Sequence, residues 1–352
     1  MRTARFQPPA VHAVLLTGDK GVRNNDRRGA LERLMILRKT GSRICLTACA
    51  VVMVIVAGHA IWAEEQTAVK ELTYTWRGYR IYYKTAGRSD SGGGTAPPPV
   101  VFLHGFGSSS FTWRHSLPVF ADQHKVVAFD LLGFGKSDKP HIEYSPEIWV
   151  NLVNEYVRAN DFSKVILIGN DLGGLVAAQF VLKFPDKVEK LVLVDSLGLS
   201  WRGSRMQRLF FTPVLGKAAF PLLFRRGYVQ RTLENSIYAD PKKVTDVIVE
   251  EYRRPFRSPG AGYVYRNVGK KMHQWQLGDR WKEIRAATLI VWGERDTLTP
   301  IEEAAELNSL IPNSNVVTVP GAGHYPQEES PAQFNKAIAE FLEDAGELSE
   351  GG

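Results

Sequence analysis

The sequence has 352 residues, 44% hydrophobic and 23% charged, a balance that builds one large or two ordinary globular domains and excludes global disorder. Its two cysteines, Cys45 and Cys49, lie in one apolar run, so the rest of the chain can form neither a disulfide framework nor a cysteine-ligated metal site. The formal charge of +7 resides wholly in residues 1–63, where ten Lys and Arg face three acids, and this distribution argues against a nucleic-acid-binding surface on the remainder.

Residues 1–43 read as a basic tail. Residues 44–63 read as the apolar segment of an export signal or a single membrane anchor, with small residues near Gly58, Ala60 and Ala63 and acids at Glu64 and Glu65. The uninterrupted apolar part, Ile44 to Ala57, is 14 residues, short for a full span of about 20. Cleavage is therefore favoured over anchoring, with the rest of the chain exported. Met35 offers an alternative start that leaves a signal of ordinary size.

From Glu71 onward, short β-rich runs alternate with helical stretches, which predicts an α/β fold with a mostly parallel sheet of eight strands and helices on both faces. In chain order, residues 72–76 and 79–85 form an antiparallel opening pair that turns at Arg77-Gly78, and residues 89–99 form a glycine- and proline-rich loop. Strands follow at 100–105, 125–131, 164–171, 190–196, 288–296 and 315–321, each with the continuous apolar run of a strand buried on both faces. Helices are expected at 146–160, 172–183, 302–310 and 331–343. Between Ser196 and Thr288 about 90 residues lack strand alternation, too many for a connection, so an inserted helical cap is placed at 196–285. It splits the core into 64–195 and 286–345, with 346–352 as a tail. The cap carries eighteen Lys and Arg against seven acids, a net +11.

Residues 165–178, VILIGNDLGGLVAA, read as a strand, a glycine-bounded turn and a helix, the geometry of a nucleophile elbow. Gly169 and Gly173 permit the tight turn and close helix packing, leaving Asp171 exposed at the helix N-terminus, where the dipole favours an anion. Asp296, ending a strand, and His324, in the loop after the last strand, complete a triad in the order nucleophile, acid, histidine. Both stand where ligands bind in open α/β sheets. Asp195, also after a strand, could replace Asp296 as the acid but is read as a structural strand-end residue. His104 is read as bonding its own loop, Trp113 as core, and His115, His124 and His273 lack metal-ligand spacing.

With His104-Gly105-Phe106-Gly107, Trp113-Arg114 and the run Asp130 to Pro140 added, residues 72–342 resemble the α/β-hydrolase family. Aspartate at the nucleophile position is similar to its epoxide hydrolase and haloalkane dehalogenase branch. The chemistry agrees, because a carboxylate can displace a leaving group at saturated carbon and form an alkyl-enzyme ester, whereas attack on an ester carbonyl gives an anhydride. The resemblance implies that His324, oriented by Asp296, activates water to cleave that ester. It also implies an oxyanion hole from the backbone N–H groups of Phe106 and Leu172, and a proton donor at Tyr265 in Gly262-Tyr263-Val264-Tyr265-Arg266-Asn267, which resembles the cap segment carrying an epoxide hydrolase tyrosine. A packing role for Tyr265 stays open.

Two departures bear on the reading: many members of the branch have proline where Gly107 stands, and dehalogenases usually have a halide-binding tryptophan where Leu172 stands. The expectation is an epoxide hydrolase with no cofactor, acting on a small apolar or amphiphilic substrate. Dehalogenase and ester or lactone hydrolase remain alternatives, and a ligand-binding receptor on the same scaffold is the non-enzyme reading, which the intact triad disfavours. The apolar stretch 209–224 with its flanking arginines is expected either to meet an anionic lipid surface or to roof the pocket.

Overall fold

The structure, a computed structural model, describes residues 68–87, 97–199, 220 and 224–344. The chain divides into the units Met1–Trp62 and Ala63–Gly352, and every described residue belongs to the second. The basic tail, the apolar segment and most of the stretch 209–224 lie outside the described residues. Among those described, no helix is long and apolar enough to cross a membrane.

Eight strands make one sheet: β1 (Lys70–Trp76), β2 (Tyr79–Ala86), β3 (Val100–Leu103), β4 (Val126–Phe129), β5 (Val165–Asn170), β6 (Val188–Val194), β7 (Ala287–Gly293) and β8 (Ser314–Val319). Their spatial order is β1-β2-β4-β3-β5-β6-β7-β8, antiparallel for β1 with β2 and β2 with β4 and parallel beyond. The opening hairpin turns at Arg77 and Gly78, both at positive φ (50° and 84°), the backbone that a two-residue primed turn requires.

Alternation along the strands divides the core in two. Val101, Leu103, Val127, Phe129, Leu167 and Leu193 face one side, against the helices Pro146–Ala159, Leu172–Lys183 and Glu302–Leu310. Phe102, Ala128, Ile168, Val192 and Val291 face the other, against Trp113 and the helix Pro331–Glu343. Helices cover both faces, as expected. One correction concerns the last strand, which was read as buried on both sides: β8 is exposed or half-exposed at all but Val319, because it is the sheet edge.

The described part of the insert contains no strand. It runs through the helices Arg226–Thr232, Asp246–Arg253 and Ala261–Lys271, linked by short 3-10 turns and one π turn at Leu233–Ile237. Val264, Val268 and Met272 of this insert join the main core, while Val229, Leu233, Tyr238 and Tyr252 pack with Tyr325 in a smaller cluster.

Candidate active site

The strand order reverses between β3 and β5. Chain direction diverges there, so the carboxyl ends of these neighbours open a crevice. Two loops meet in it: the turn after β3, carrying Phe106, and the elbow after β5, carrying Asp171. The Phe106 N–H donates to Asp171 Oδ2 at 2.7 Å.

The elbow takes its shape from glycine. A Cβ on Gly169 would lie 2.3 Å from the Gly173 carbonyl oxygen, and one on Gly173 would lie 2.2 Å from the Leu103 carbonyl oxygen. Any side chain at either position would push helix and strand apart. Asp171 itself adopts φ 50°, ψ −116°, a conformation that costs a non-glycine residue about 1–3 kcal/mol and recurs at functional positions. It caps the helix Leu172–Lys183 without a side-chain capping bond, so its carboxylate is free to point into the crevice.

Burial raises the Asp171 carboxyl above the usual aspartate range; His324 and the N–H groups of Phe106 and Leu172 oppose that rise, and Asp296 adds to it. Both N–H groups expected to form the oxyanion hole thus act on this carboxylate. Asn170, just before it, donates to the His324 carbonyl at 3.3 Å, fixing the histidine loop against β5.

Asp296 and His324 come together with His324 Nδ1 2.7 Å from Asp296 Oδ2. Asp296 accepts three more bonds: from the Leu298 N–H (2.7 Å), the Thr299 N–H (3.2 Å) and the Thr299 hydroxyl. Burial would raise the Asp296 carboxyl, but His324, Thr299 and Leu298 outweigh it and hold it below its ordinary value. The imidazole is also buried, which depresses its basicity, yet Asp296, with help from Asp171 and Glu329, brings it above the ordinary histidine value. Thr299 was not singled out from sequence; a hydroxyl three residues after a strand-end aspartate is the signal that marks it.

Asp195 holds the structural strand-end place expected of it, its Oδ1 accepting the Gly293 N–H at 2.9 Å, and single side-chain atoms of Asp195, Asp296 and His324 lie within 4.8 Å of one another. This is the metal-like cluster found among the described residues, but the imidazole–carboxylate hydrogen bond already occupies two of its three donors. His104 behaves as expected: buried, it bonds the Gly105 carbonyl through Nδ1 (2.7 Å) and accepts the Leu131 N–H at Nε2 (3.0 Å).

Tyr265 stands over the turn after β3. Its ring stacks on Phe106 with centroids 4.8 Å apart and planes 25° apart, and it shares a cavity wall with Gly107, Ser108 and Phe256. Burial, then Tyr228, raises its phenol, so it stays protonated at any physiological pH. Gly107 adopts φ 75°, which proline cannot reach, so the departure from the branch's pattern reflects a real difference in this turn.

A second polar network lies beneath the insert. Glu328, with a fully buried side chain, pairs with Arg114 at 2.5 Å and accepts from the hydroxyls of Thr112 (2.7 Å), Tyr238 (2.6 Å) and Tyr252. Tyr252 stacks on Tyr325, centroids 5.6 Å apart. Beside it Glu329 takes the N–H groups of Gly323 and Ala239, each at 2.8 Å, and the His324 N–H donates to the Ile237 carbonyl at 2.8 Å. Glu328 and Glu329 escaped the sequence reading because two acids in the first turn of a helix resemble ordinary solvated helix-start residues.

A reactive group at a strand-to-helix elbow, a histidine–carboxylate pair at neighbouring strand ends and a helical insert above them define the α/β-hydrolase class. The chain belongs to the alpha/beta hydrolase family, whose pattern matches residues 100–337. It is 27% identical over 286 residues to epoxide hydrolase 1 of Caenorhabditis elegans, covering 75% of this chain and 68% of the relative. It is 28% identical over 263 residues to the 2-hydroxy-6-oxo-6-(2'-aminophenyl)hexa-2,4-dienoic acid hydrolase of Metapseudomonas resinovorans, covering 71% and 86%. The solved structure of the epoxide hydrolase CorEH without ligand superposes with a TM-score of 0.67 at 25% identity, covering 78% of this chain and 99% of that one.

Proposed function

We propose that the protein hydrolyses an epoxide to a diol through a covalent ester on Asp171. The observation that carries this reading is the identity of the elbow residue: a carboxylate, held at 2.7 Å by the Phe106 N–H, where an ester-cleaving member of the same fold would need a hydroxyl or thiol. A carboxylate oxygen attacks the epoxide carbon, the carbon–oxygen bond breaks, and Tyr265 supplies the proton to the departing oxygen. Water, deprotonated by His324, then adds to the Asp171 carbonyl carbon while the N–H groups of Phe106 and Leu172 stabilise the developing oxyanion. Collapse expels the ester oxygen, which takes the proton held by His324, and the diol is released; the second proton of the attacking water, left on the Asp171 carboxyl, returns to the Tyr265 phenolate and regenerates the carboxylate.

Charge bookkeeping favours this order. In the resting enzyme the negative charge of Asp171 contributes to the raised basicity of His324. Esterification removes that charge, so the imidazole loses affinity for a proton just when it must act as a base. The rings of Phe106, Phe224 and Phe256 each contact that of Tyr265, a lining suited to a small apolar or amphiphilic substrate. A single turnover in oxygen-18 water tests the route: the label is expected on the peptide carrying Asp171 before it reaches product. Turnover that leaves this peptide unlabelled contradicts it.

We also propose that residues 44–63 direct export, either as a cleaved signal or as a retained anchor, on the strength of the basic flank before the apolar run. N-terminal sequencing of the protein from cell fractions decides; a full-length cytosolic chain would overturn it.

A further inference from the structure

Asp195 plays no part in the reaction just described, yet it lies beside the group that drives it. It follows β6 directly at φ 40°, in the left-handed region that is unusual for a residue with a side chain, and it is wholly buried. Its N–H bonds the Val291 carbonyl at 3.0 Å, and its Oδ1 accepts the Gly293 N–H at 2.9 Å. Its Oδ2 accepts no hydrogen bond from a donor group. A buried carboxylate oxygen without a donor is costly if charged, and Asp296 lies within 4.8 Å.

Two buried carboxylates so close oppose each other's ionisation. The proton goes to the one with fewer donors. Asp296 holds four, from Leu298, Thr299 twice and His324; Asp195 holds one. Burial, then the charge of Asp296 and a side-chain hydrogen bond with it, with a smaller contribution from Glu329, pushes the Asp195 carboxyl far above its ordinary value, against the pull of the Gly293 N–H.

We propose that Asp195 is a reserve positioning acid for His324, a neutral carboxyl while Asp296 is ionised and the imidazole's partner when Asp296 is not. In the native protein its proton keeps one negative charge, rather than two, next to the imidazole. Two would hold His324 protonated and unfit to act as a base. When Asp296 is made neutral, Asp195 gives its proton to the imidazole and becomes the counter-charge. The charged groups facing this cluster are Asp296, His324 and Glu329, with Asp171 acting on His324. The proposal rests on this geometry and is independent of the epoxide reading.

The test follows the ring nitrogens of His324 by NMR in the full-length, histidine-labelled protein, so it needs no substrate. In D296N the imidazole is expected to stay near its native basicity, and in D195N/D296N to fall by about one further unit or more, the usual effect of losing an adjacent opposite charge. D195N alone is expected to move it by less than about half a unit, because the group it replaces is already neutral. Thermal melts of the three variants confirm folding. Equal titrations in D296N and the double variant would overturn the proposal. So would a D195N shift of about one unit or more, which would make Asp195 the working acid.

Discussion

The strand-end loops and the inserted helices hold their functional groups by different means. In the core, backbone N–H groups fix the carboxylates: Phe106 holds Asp171, Leu298 and Thr299 hold Asp296, and Gly293 holds Asp195. In the insert, side chains fix side chains: Tyr265 stacks on Phe106, and Tyr238 and Tyr252 bond Glu328. Backbone groups are present whatever the residue, so the core's electrostatics follow from the fold itself. The insert's contacts depend on particular rings and hydroxyls, so they change with single substitutions.

Breaking the seam between the two regions should have the largest effect. Glu328→Ala leaves the Arg114 guanidinium and three hydroxyls without their acceptor; removing one partner of a buried ion pair costs about 3–5 kcal/mol. A large drop in melting temperature is expected by calorimetry, along with loss of activity. A melting temperature equal to that of the parent would mean that the insert docks without this network.

Tyr265→Phe sharpens the comparison from the insert side. Epoxide opening should slow by about 10²-fold, the typical contribution of a positioned general acid, while the ring and its stack on Phe106 remain. Halide departure needs no proton. An unchanged rate on a haloalkane, with no epoxide turnover in the parent, would transfer the reading to dehalogenation.

A smaller effect belongs to the core alone. Asp171 must be anionic to attack, and its carboxyl is raised by burial. A raised value means protonation begins at higher pH than for an exposed aspartate, so the alkylation rate is expected to fall on the acid side with a midpoint above the ordinary aspartate value of about 3.9. Stopped-flow measurement of ester formation against pH reads it directly. A midpoint at or below the ordinary value would show that the N–H groups of Phe106 and Leu172 outweigh burial.

Elements whose determinants are local were legible in the sequence. Continuous apolar runs marked the strands, and the helices Leu172–Lys183, Glu302–Leu310 and Pro331–Glu343 begin and end where residue types predict. The pairing of Asp296 with His324 followed from their places at strand ends, since adjacent parallel strands deliver both to one edge. What needed the third dimension was hidden. The approach of Asp195 to Asp296 depends on β6 lying beside β7. The burial of Glu328 depends on hydroxyls contributed from about 76 and 90 residues earlier in the chain. The exposure of β8 reflects edge position, which its composition does not encode.

The central claim is that Asp171 becomes an ester during turnover. His324→Gln removes the base for the second half of the reaction while leaving the nucleophile in place, so incubation with an epoxide such as styrene oxide should build up a covalent species. Intact-mass spectrometry is expected to show the protein heavier by one molecule of epoxide, with fragmentation placing the addition on Asp171 and none forming in Asp171→Ala. A parent enzyme that converts the epoxide while the His324→Gln protein stays unmodified would contradict the account.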